Sequence, residues 1–279
     1  MSLHVALGAR RYRIERPWGA LPTGQGGVTD VAVDAAGRVL VGLRRDPYVD
    51  PPGPGVIVLD TEGRRLGAFG EAIADHHMFD IAPDGLAWLV DRDRHEVVGF
   101  DAAGVAQRRL GTRDGPGAPF NSPCDIAFAA DGTAYVADGY AASRVHVFAP
   151  DGAPRGGWGV PGVGEGEFST PHSIKVNRFG EVAVADRENH RLQVFDGAGR
   201  FLRAIGLLHK PMAVATDADG NWWVTDQVPS LSLFGRDGAL LGKARAVVNG
   251  AHGIALHPDG CVYLAEMNPS RVSRLVPVD

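Results

Sequence analysis

Apolar and polar residues alternate in short runs along nearly the whole chain. Several of these runs lead directly into a turn glycine, as in FDIAPDG, SIKVNRFG and GIALHPDG. A period of two residues, bounded by Asp-Gly and Pro-Asp-Gly turns, is typical of β-strands with one buried face. Helical periodicity is almost absent. The pattern therefore predicts an all-β protein.

The turn glycines mark an internal repeat. They recur at intervals of 48, 47, 48, 40 and 40 residues, at Gly37, Gly85, Gly132, Gly180, Gly220 and Gly260. A second strand follows each glycine, as in AYVAD and VAVAD, and then come a third strand such as SRVHVF and a more polar fourth strand. Four short strands at this period are the signature of a β-propeller blade. The sequence predicts a six-bladed β-propeller that forms a single domain over residues 1–279.

The last blade is one strand short, because the chain ends at SRVSRLVPVD after a third strand. The segment RYRIERPWG at 11–19 resembles the fourth-strand segments that end in WG or IG. We predict that this N-terminal strand completes the sixth blade, which closes the ring and removes open sheet edges.

One position lies eight residues before each turn glycine, where the innermost strand begins; we call it the axial position. It holds histidine in blades two, four and six (His77, His172 and His252) and Thr29, Cys124 and Met212 in the other three. Alternate spokes of a six-fold ring lie about 120° apart, so three imidazoles would converge on the central axis. Zinc binds imidazole nitrogens and, with three protein ligands, keeps a fourth position open. We predict a zinc site here, with iron or another divalent metal as the alternative. His76 is a candidate hydrogen-bond partner of its neighbour His77.

The chain returns to the histidine face at the end of each second strand. An acid recurs there in five blades, at Asp91, Asp138, Asp186, Asp226 and Glu266. An acid that recurs in nearly every blade favours a scaffolding role, in which it accepts hydrogen bonds from nearby backbone.

Four side chains at this face depart from the repeat: Arg44, Arg92, Arg187 and Tyr140. An arginine fork binds a planar carboxylate through two hydrogen bonds, so we predict that the three arginines bind a substrate carboxylate. Surface ion pairs are the alternative for each of them. A phenol beside cations and a metal would have a lowered pKa, which predicts Tyr140 as a general base.

Composition excludes several classes of function. A net charge of −5 and a pI near 6.0 argue against a nucleic-acid partner. The sequence has no long apolar run and no signal-peptide core, so we expect a cytoplasmic protein without membrane contact; a secreted form with its leader removed would look the same. Cys124 and Cys261 provide no disulfide framework. No obligatory protein partner is indicated.

Several segments resemble known families, one resemblance being broad and the other more specific. RVHVFAPDG and ENHRLQVFDGAGRFLRAIG resemble NHL repeats. DGYAASRVHVF, EFSTPHSIKV and VADRENHRLQVF together are similar to peptidyl-α-hydroxyglycine α-amidating lyase, the second enzyme of peptide C-terminal amidation. That resemblance implies a six-bladed propeller with a catalytic zinc on three histidines, a catalytic tyrosine in a DGY motif and two substrate-binding arginines. They match His77, His172, His252, Tyr140, Arg187 and Arg44.

The sequence also departs from that family. The family binds a structural calcium, partly through an aspartate directly after its third histidine, and here that residue is Gly253. The other calcium ligands would be the carbonyls of Val31 and Phe79, so calcium binding stays open. The Pro-His context is kept at His172 but becomes His-His at His77 and Ala-His at His252. The disulfides of animal members are impossible here. Because no secretory leader is visible, we expect this chemistry on a substrate other than a peptide hormone.

Residues and resemblance together predict a zinc-dependent lyase. It would cleave the C–N bond of a carboxylate-bearing α-hydroxy-N-acyl compound, giving an amide and an aldehyde such as glyoxylate. One alternative is a metal-dependent lyase or hydrolase of a small metabolite, such as a ureidoglycolate-like compound or a lactone. The other is a non-catalytic NHL propeller that binds a protein or ligand on one face.

Overall fold

The fold is a six-bladed β-propeller, as predicted. It is seen in a computed structural model that describes residues 3–24, 26–46, 50, 53–245 and 250–278. The chain enters the ring through two strands of its sixth blade, β1 (Leu3–Leu7) and β2 (Arg10–Trp18). Within these described ranges, no helix has the length and apolar character needed to cross a membrane.

Blades one to three follow in chain order, and each is an antiparallel sheet whose first strand lies at the axis. Their strands are β3 (Gly27–Val33), β4 (Val39–Arg44), β5 (Val56–Leu59) and β6 (Arg65–Phe69); β7 (His76–Ile81), β8 (Ala87–Asp91), β9 (Glu96–Phe100) and β10 (Ala106–Gly111); and β11 (Asp125–Phe128), β12 (Ala134–Asp138), β13 (Arg144–Phe148) and β14 (Pro154–Trp158).

A short parallel pair connects blades three and four, and blades four to six repeat the antiparallel pattern. The pair is β15 (Val160–Pro161) and β16 (Glu167–Phe168). The blade strands are β17 (Pro171–Val176), β18 (Val182–Asp186), β19 (Arg191–Phe195) and β20 (Phe201–Ile205); β21 (Pro211–Thr216), β22 (Trp222–Asp226), β23 (Ser230–Phe234) and β24 (Leu240–Arg245); and β25 (Ala251–Leu256), β26 (Val262–Met267) and β27 (Ser270–Pro277). A 3₁₀ helix, Arg187–Asn189, follows β18.

The N-terminus closes the ring. Strand β2 pairs antiparallel with β27, with Tyr12 opposite Pro277 and Ile14 opposite Leu275, which confirms the predicted closure. Strand β1 adds a fifth strand that the repeat did not predict. It lies against β24 of blade five, where the backbones of Gly8 and Gly242 approach so closely that neither position has room for a side chain.

The apolar core lies between neighbouring blades. Each of the six interfaces has its own cluster of buried side chains, for example Trp222 and Phe234 between blades four and five. Because both faces of a blade are covered, inner strands such as β8 (AWLVD) are buried at every residue. The six first strands contact one another in sequence around the axis, so their side chains surround a common channel.

A β-bulge lies at the axial position in five of the six innermost strands. The register shifts around Thr29, His77, His172, Met212 and His252. A bulge inserts an extra residue that bends the strand and re-aims its side chain. At His77, His172 and His252 the bulges coincide with the point where the three imidazoles converge.

Candidate metal centre

Three buried imidazoles meet at the mouth of the channel. His77 and His172 are fully buried, and His252 is 3% exposed. Their ring centroids lie 4.9, 4.8 and 4.9 Å apart, and one ligand atom from each ring falls within 4.8 Å of the other two. Imidazoles bound to one tetrahedral ion at about 2.0–2.1 Å would have centroids roughly 5 Å apart. The three side chains therefore fit a single divalent metal.

The other nitrogen of each ring is held by the next blade. The Nδ1 atoms of His77, His172 and His252 donate hydrogen bonds of 2.7, 2.8 and 2.9 Å to the backbone carbonyls of Cys124, Met212 and Thr29. These acceptors are the axial residues of blades three, five and one. With the proton fixed on Nδ1, each Nε2 lone pair is free to bind a metal. The six axial residues thus form one ring of alternating imidazoles and carbonyls.

The imidazoles are kept in the neutral form that binds metal. Burial lowers the pKa of His77 and of His172 well below the usual value. Burial, followed by the positive fields of Arg44, Arg187 and Arg92, lowers the pKa of His252 to about 4. At neutral pH no proton has to be displaced before a metal binds.

Tyr140 reaches the same centre. Its hydroxyl lies 3.0 Å from Nε2 of His77 and 3.2 Å from Nε2 of His172. Nη1 of Arg187 donates to this hydroxyl at 3.4 Å, and the guanidinium carbons of Arg92 and Arg187 lie 5.0 and 5.4 Å from the ring centroid. The phenol therefore sits between two imidazoles and two cations, beside the position that a metal on the three rings would occupy.

Burial opposes the lowered pKa that we expect for Tyr140 beside cations and a metal. Desolvation raises its pKa above the usual value, and the nearby arginines offset only part of this effect. The expectation of a lowered pKa counted a metal as well as the cations and left out the burial of the phenol. The two guanidinium groups alone do not make this phenol acidic.

An aspartate that the sequence analysis missed connects two of the arginines. The Asp75 carboxylate, 3% exposed, lies 2.5 Å from Nε of Arg44 and 2.8 Å from Nη2 of Arg92. Arg92 also pairs with exposed Asp93 at 3.0 Å. Asp75 therefore fixes two cations at the rim of the site.

Known proteins are similar to this chain in sequence and in fold. The NHL repeat pattern matches residues 168–195. The chain is 30% identical over 227 residues to peptidyl-glycine α-amidating monooxygenase B of Xenopus laevis, covering 72% of this chain and 26% of that protein. It is 27% identical to a probable peptidyl-α-hydroxyglycine α-amidating lyase of Caenorhabditis elegans, covering 78% of this chain and 68% of that protein. The chain is a propeller that contains an NHL repeat and is similar to the amidating lyases. It spans about a quarter of the length of the two Xenopus proteins that it matches.

Two further proteins are similar to this chain over nearly its whole length. Human NHL repeat-containing protein 3 is 27% identical over 96% of this chain and 85% of its own length. A gluconolactonase from Xanthomonas campestris superposes with a TM-score of 0.74 at 15% identity, covering 100% of this chain and 99% of that one, which shows a shared fold.

The recurring acids act as scaffold, as predicted. Asp91 is fully buried and accepts hydrogen bonds from the backbone amides of Ala74 and Asp75 at 2.9 and 3.0 Å. Asp186 accepts one from the amide of Ser169 at 2.8 Å. In blades two to five these acids tie the end of the second strand to the segment that precedes the axial position, so they hold the site without entering it.

His76 is not the hydrogen-bond partner of His77. Its Nδ1 donates to the carbonyl of Gly55 at 2.7 Å, inside the interface between blades one and two. The partner of His77 is the Cys124 carbonyl instead. Neighbours on a strand point to opposite faces, so adjacency in sequence did not bring the two rings together.

Proposed function

We propose that this protein is a zinc-dependent lyase of the amidating-lyase type. It would cleave the C–N bond of an N-acyl-α-hydroxyglycine or a similar carbinolamide acid to an amide and glyoxylate. The observation that carries the proposal is the position of the Tyr140 hydroxyl, within 3.2 Å of two of three converging, neutral imidazoles. The similarity to a probable amidating lyase supports the same chemistry.

The residues have distinct roles in this reaction. Zinc held on Nε2 of His77, His172 and His252 would supply a Lewis acid that lowers the pKa of the substrate hydroxyl. Tyr140 in its ionised form accepts the hydroxyl proton while the C=O bond forms and the C–N bond breaks, and it then returns this proton to the leaving nitrogen, so the amide departs neutral. Arg187, 3.4 Å from the phenol oxygen, stabilises the tyrosinate.

The rim arginines determine which substrates fit. Asp75 pairs with Arg44 and Arg92, and exposed Asp93 pairs with Arg92, so the two acids balance these two cations. Arg187 provides a third guanidinium on the other side of Tyr140, and Glu188 pairs with its Nε at 3.0 Å. An anionic carboxylate on the substrate is the group that such a rim favours.

The direct test is product analysis on the zinc-loaded protein. An N-acyl-α-hydroxyglycine should give glyoxylate and the primary amide in equal amounts, faster than its spontaneous breakdown. Ureidoglycolate and a sugar lactone serve as competing substrates. Turnover of either one, without glyoxylate release from the α-hydroxyglycine, would overturn the proposal in favour of the metabolite enzyme.

A binding module is the second candidate, favoured by the near-complete coverage of human NHL repeat-containing protein 3. It predicts no turnover of any of these substrates and no tightly held metal. A metal-free purified protein that is insensitive to chelators would support it.

Replacing Arg44 with glutamine should raise the KM for a carboxylate substrate about 10- to 100-fold, with a smaller effect on kcat. The reason is that a hydrogen bond to a charged group contributes about 1.5–3 kcal/mol. Arg45→Gln is the matched control, because Nη2 of Arg45 binds the backbone carbonyls of Glu71 and Ile73. Steady-state kinetics of both variants check this. An unchanged KM in Arg44→Gln would remove Arg44 from the substrate site.

A further inference from the structure

The channel below the metal centre contains a cluster of charges that the proposed reaction does not use. It encloses a cavity of about 130 Å³ lined by the innermost strands. Three carboxylates face it, from Asp30, Asp80 and Asp125. Among the described residues that line this cavity, Lys175 is the one cation.

Lys175 and Asp80 are the two charged residues at one aligned position of the six innermost strands. Three residues after the axial position, the six blades carry Ala32, Asp80, Ala127, Lys175, Ala215 and Ala255. Four alanines leave room on the axis, and one ion pair crosses the space between blades two and four: Nζ of Lys175 lies 2.7 Å from Oδ1 of Asp80. The lysine side chain is 30% accessible and that of the aspartate 15%.

The other two carboxylates connect neighbouring blades. Asp30 accepts a hydrogen bond from the amide of Phe79 at 3.0 Å, and Asp125 accepts one from the amide of Ile174 at 2.9 Å. Burial raises the pKa of Asp125 to about 7 and that of Asp30 well above its usual value. The positive charge of Lys175 opposes this rise in both pKa values, because it favours the ionised carboxylates.

The same channel has no room for the aspartate ligand that the resemblance to the amidating lyases implies for calcium. The position that would provide the aspartate ligand is Gly253, and a Cβ built there clashes with the side chain and Cα of Asp30. The Asp30 carboxylate already occupies that space and accepts hydrogen bonds from the amides of Val31 and Phe79. An aspartate at 253 could not be accommodated without moving strand β3.

We propose that Lys175 is the permanent cation of the axial channel. Through its ion pair with Asp80 it joins the two strands that carry the metal ligands His77 and His172, and its charge makes the fold independent of calcium. His77 and Asp80 are three residues apart on β7, and His172 and Lys175 are three residues apart on β17. The ion pair therefore spans the same two strands as the two imidazoles, deeper in the channel. Lys175 is a positioning residue for the metal centre, and this role does not depend on which reaction the centre performs.

The test is thermal unfolding of the zinc-loaded protein, dialysed against calcium-free buffer, before and after addition of 1 mM calcium chloride. The wild-type midpoint should stay within about 1 °C. Lys175→Met should unfold at a midpoint lower by about 4 °C or more, and calcium should restore part of the loss by binding the freed carboxylates. Lys243→Met is the control, because Lys243 pairs with Asp226 at 3.5 Å, outside the channel.

A second readout separates positioning from general stability. Zinc affinity, measured by chelator competition, should fall about 10-fold or more in Lys175→Met and recover in Lys175→Arg. If Lys175→Met does not fold, Asp80→Asn takes its place and should show the same lower midpoint and weaker zinc binding. The proposal is overturned by a wild-type midpoint that rises several degrees with calcium. It is equally overturned by a Lys175→Met or Asp80→Asn protein with wild-type midpoint and zinc affinity.

Discussion

Replacing Tyr140 with phenylalanine should lower kcat on an α-hydroxyglycine substrate by about 10²- to 10⁴-fold and leave zinc content unchanged. The change removes one oxygen, which lies 3.0 and 3.2 Å from two imidazole nitrogens and 3.4 Å from Arg187. General-base catalysis by a positioned side chain contributes a factor of that size. The variant retains the aromatic ring that Arg92 and Arg187 contact, so the site should keep its shape. Steady-state kinetics with parallel metal analysis measure both quantities.

Tyr135→Phe is the matched control in the same blade. The Tyr135 hydroxyl donates to the carbonyl of Gly197 at 3.0 Å, towards the neighbouring blade, and touches neither the histidines nor the arginines. Its removal should leave kcat within about twofold of the wild type, as substitutions outside the reacting centre generally do. Full turnover in Tyr140→Phe would remove the assignment of Tyr140 as the base.

Replacing His172 with alanine should abolish tight metal binding and, with it, turnover. Two imidazoles remain, and the loss of a direct ligand should exceed the roughly 10- to 100-fold loss of affinity typical of a change in a ligand's hydrogen-bond partner. Metal content of the purified variant, determined by elemental analysis, should fall from about one zinc per chain to a small fraction of that.

His76→Ala controls for the removal of a buried histidine. His76 is equally buried, but it hydrogen-bonds to Gly55 and not to the metal centre. This variant should lose stability, because it leaves a cavity and an unpaired carbonyl, and still retain its zinc. A His172→Ala protein that keeps its zinc while His76→Ala loses it would mean that the metal lies elsewhere.

Most of the fold could be predicted because the turn glycines recur along the sequence every 40 to 48 residues. Gly37, Gly85 and their counterparts have φ near 80°, so the turns between the first and second strands favour glycine. Aligning the blades on these turns gives the axial position directly, and with it His77, His172 and His252. The structure brings these three rings together and places Arg92, Arg187 and Tyr140 beside them, with Arg44 at the rim through Asp75.

What the sequence did not reveal depends on contacts between blades. The carbonyls of Cys124, Met212 and Thr29 hold the imidazoles, and a carbonyl has no signature in the residue type. Asp75 carried a usable signal that we overlooked: two residues before the axial position it is the one acid among Gly27, Asp75, Ser122, Thr170, Lys210 and Gly250. The β-bulges re-aim the axial side chains, and a simple alternation of faces does not anticipate them.

The central claim is that three imidazoles on alternate blades hold one metal ion on the axis. A crystal structure of the purified protein, with anomalous diffraction recorded on both sides of the zinc absorption edge, tests this most directly. We expect one anomalous peak at about 2.0–2.1 Å from Nε2 of His77, His172 and His252. Two results would contradict the account. One is a zinc ion bound by other side chains, and the other is water alone between the three rings in protein saturated with zinc.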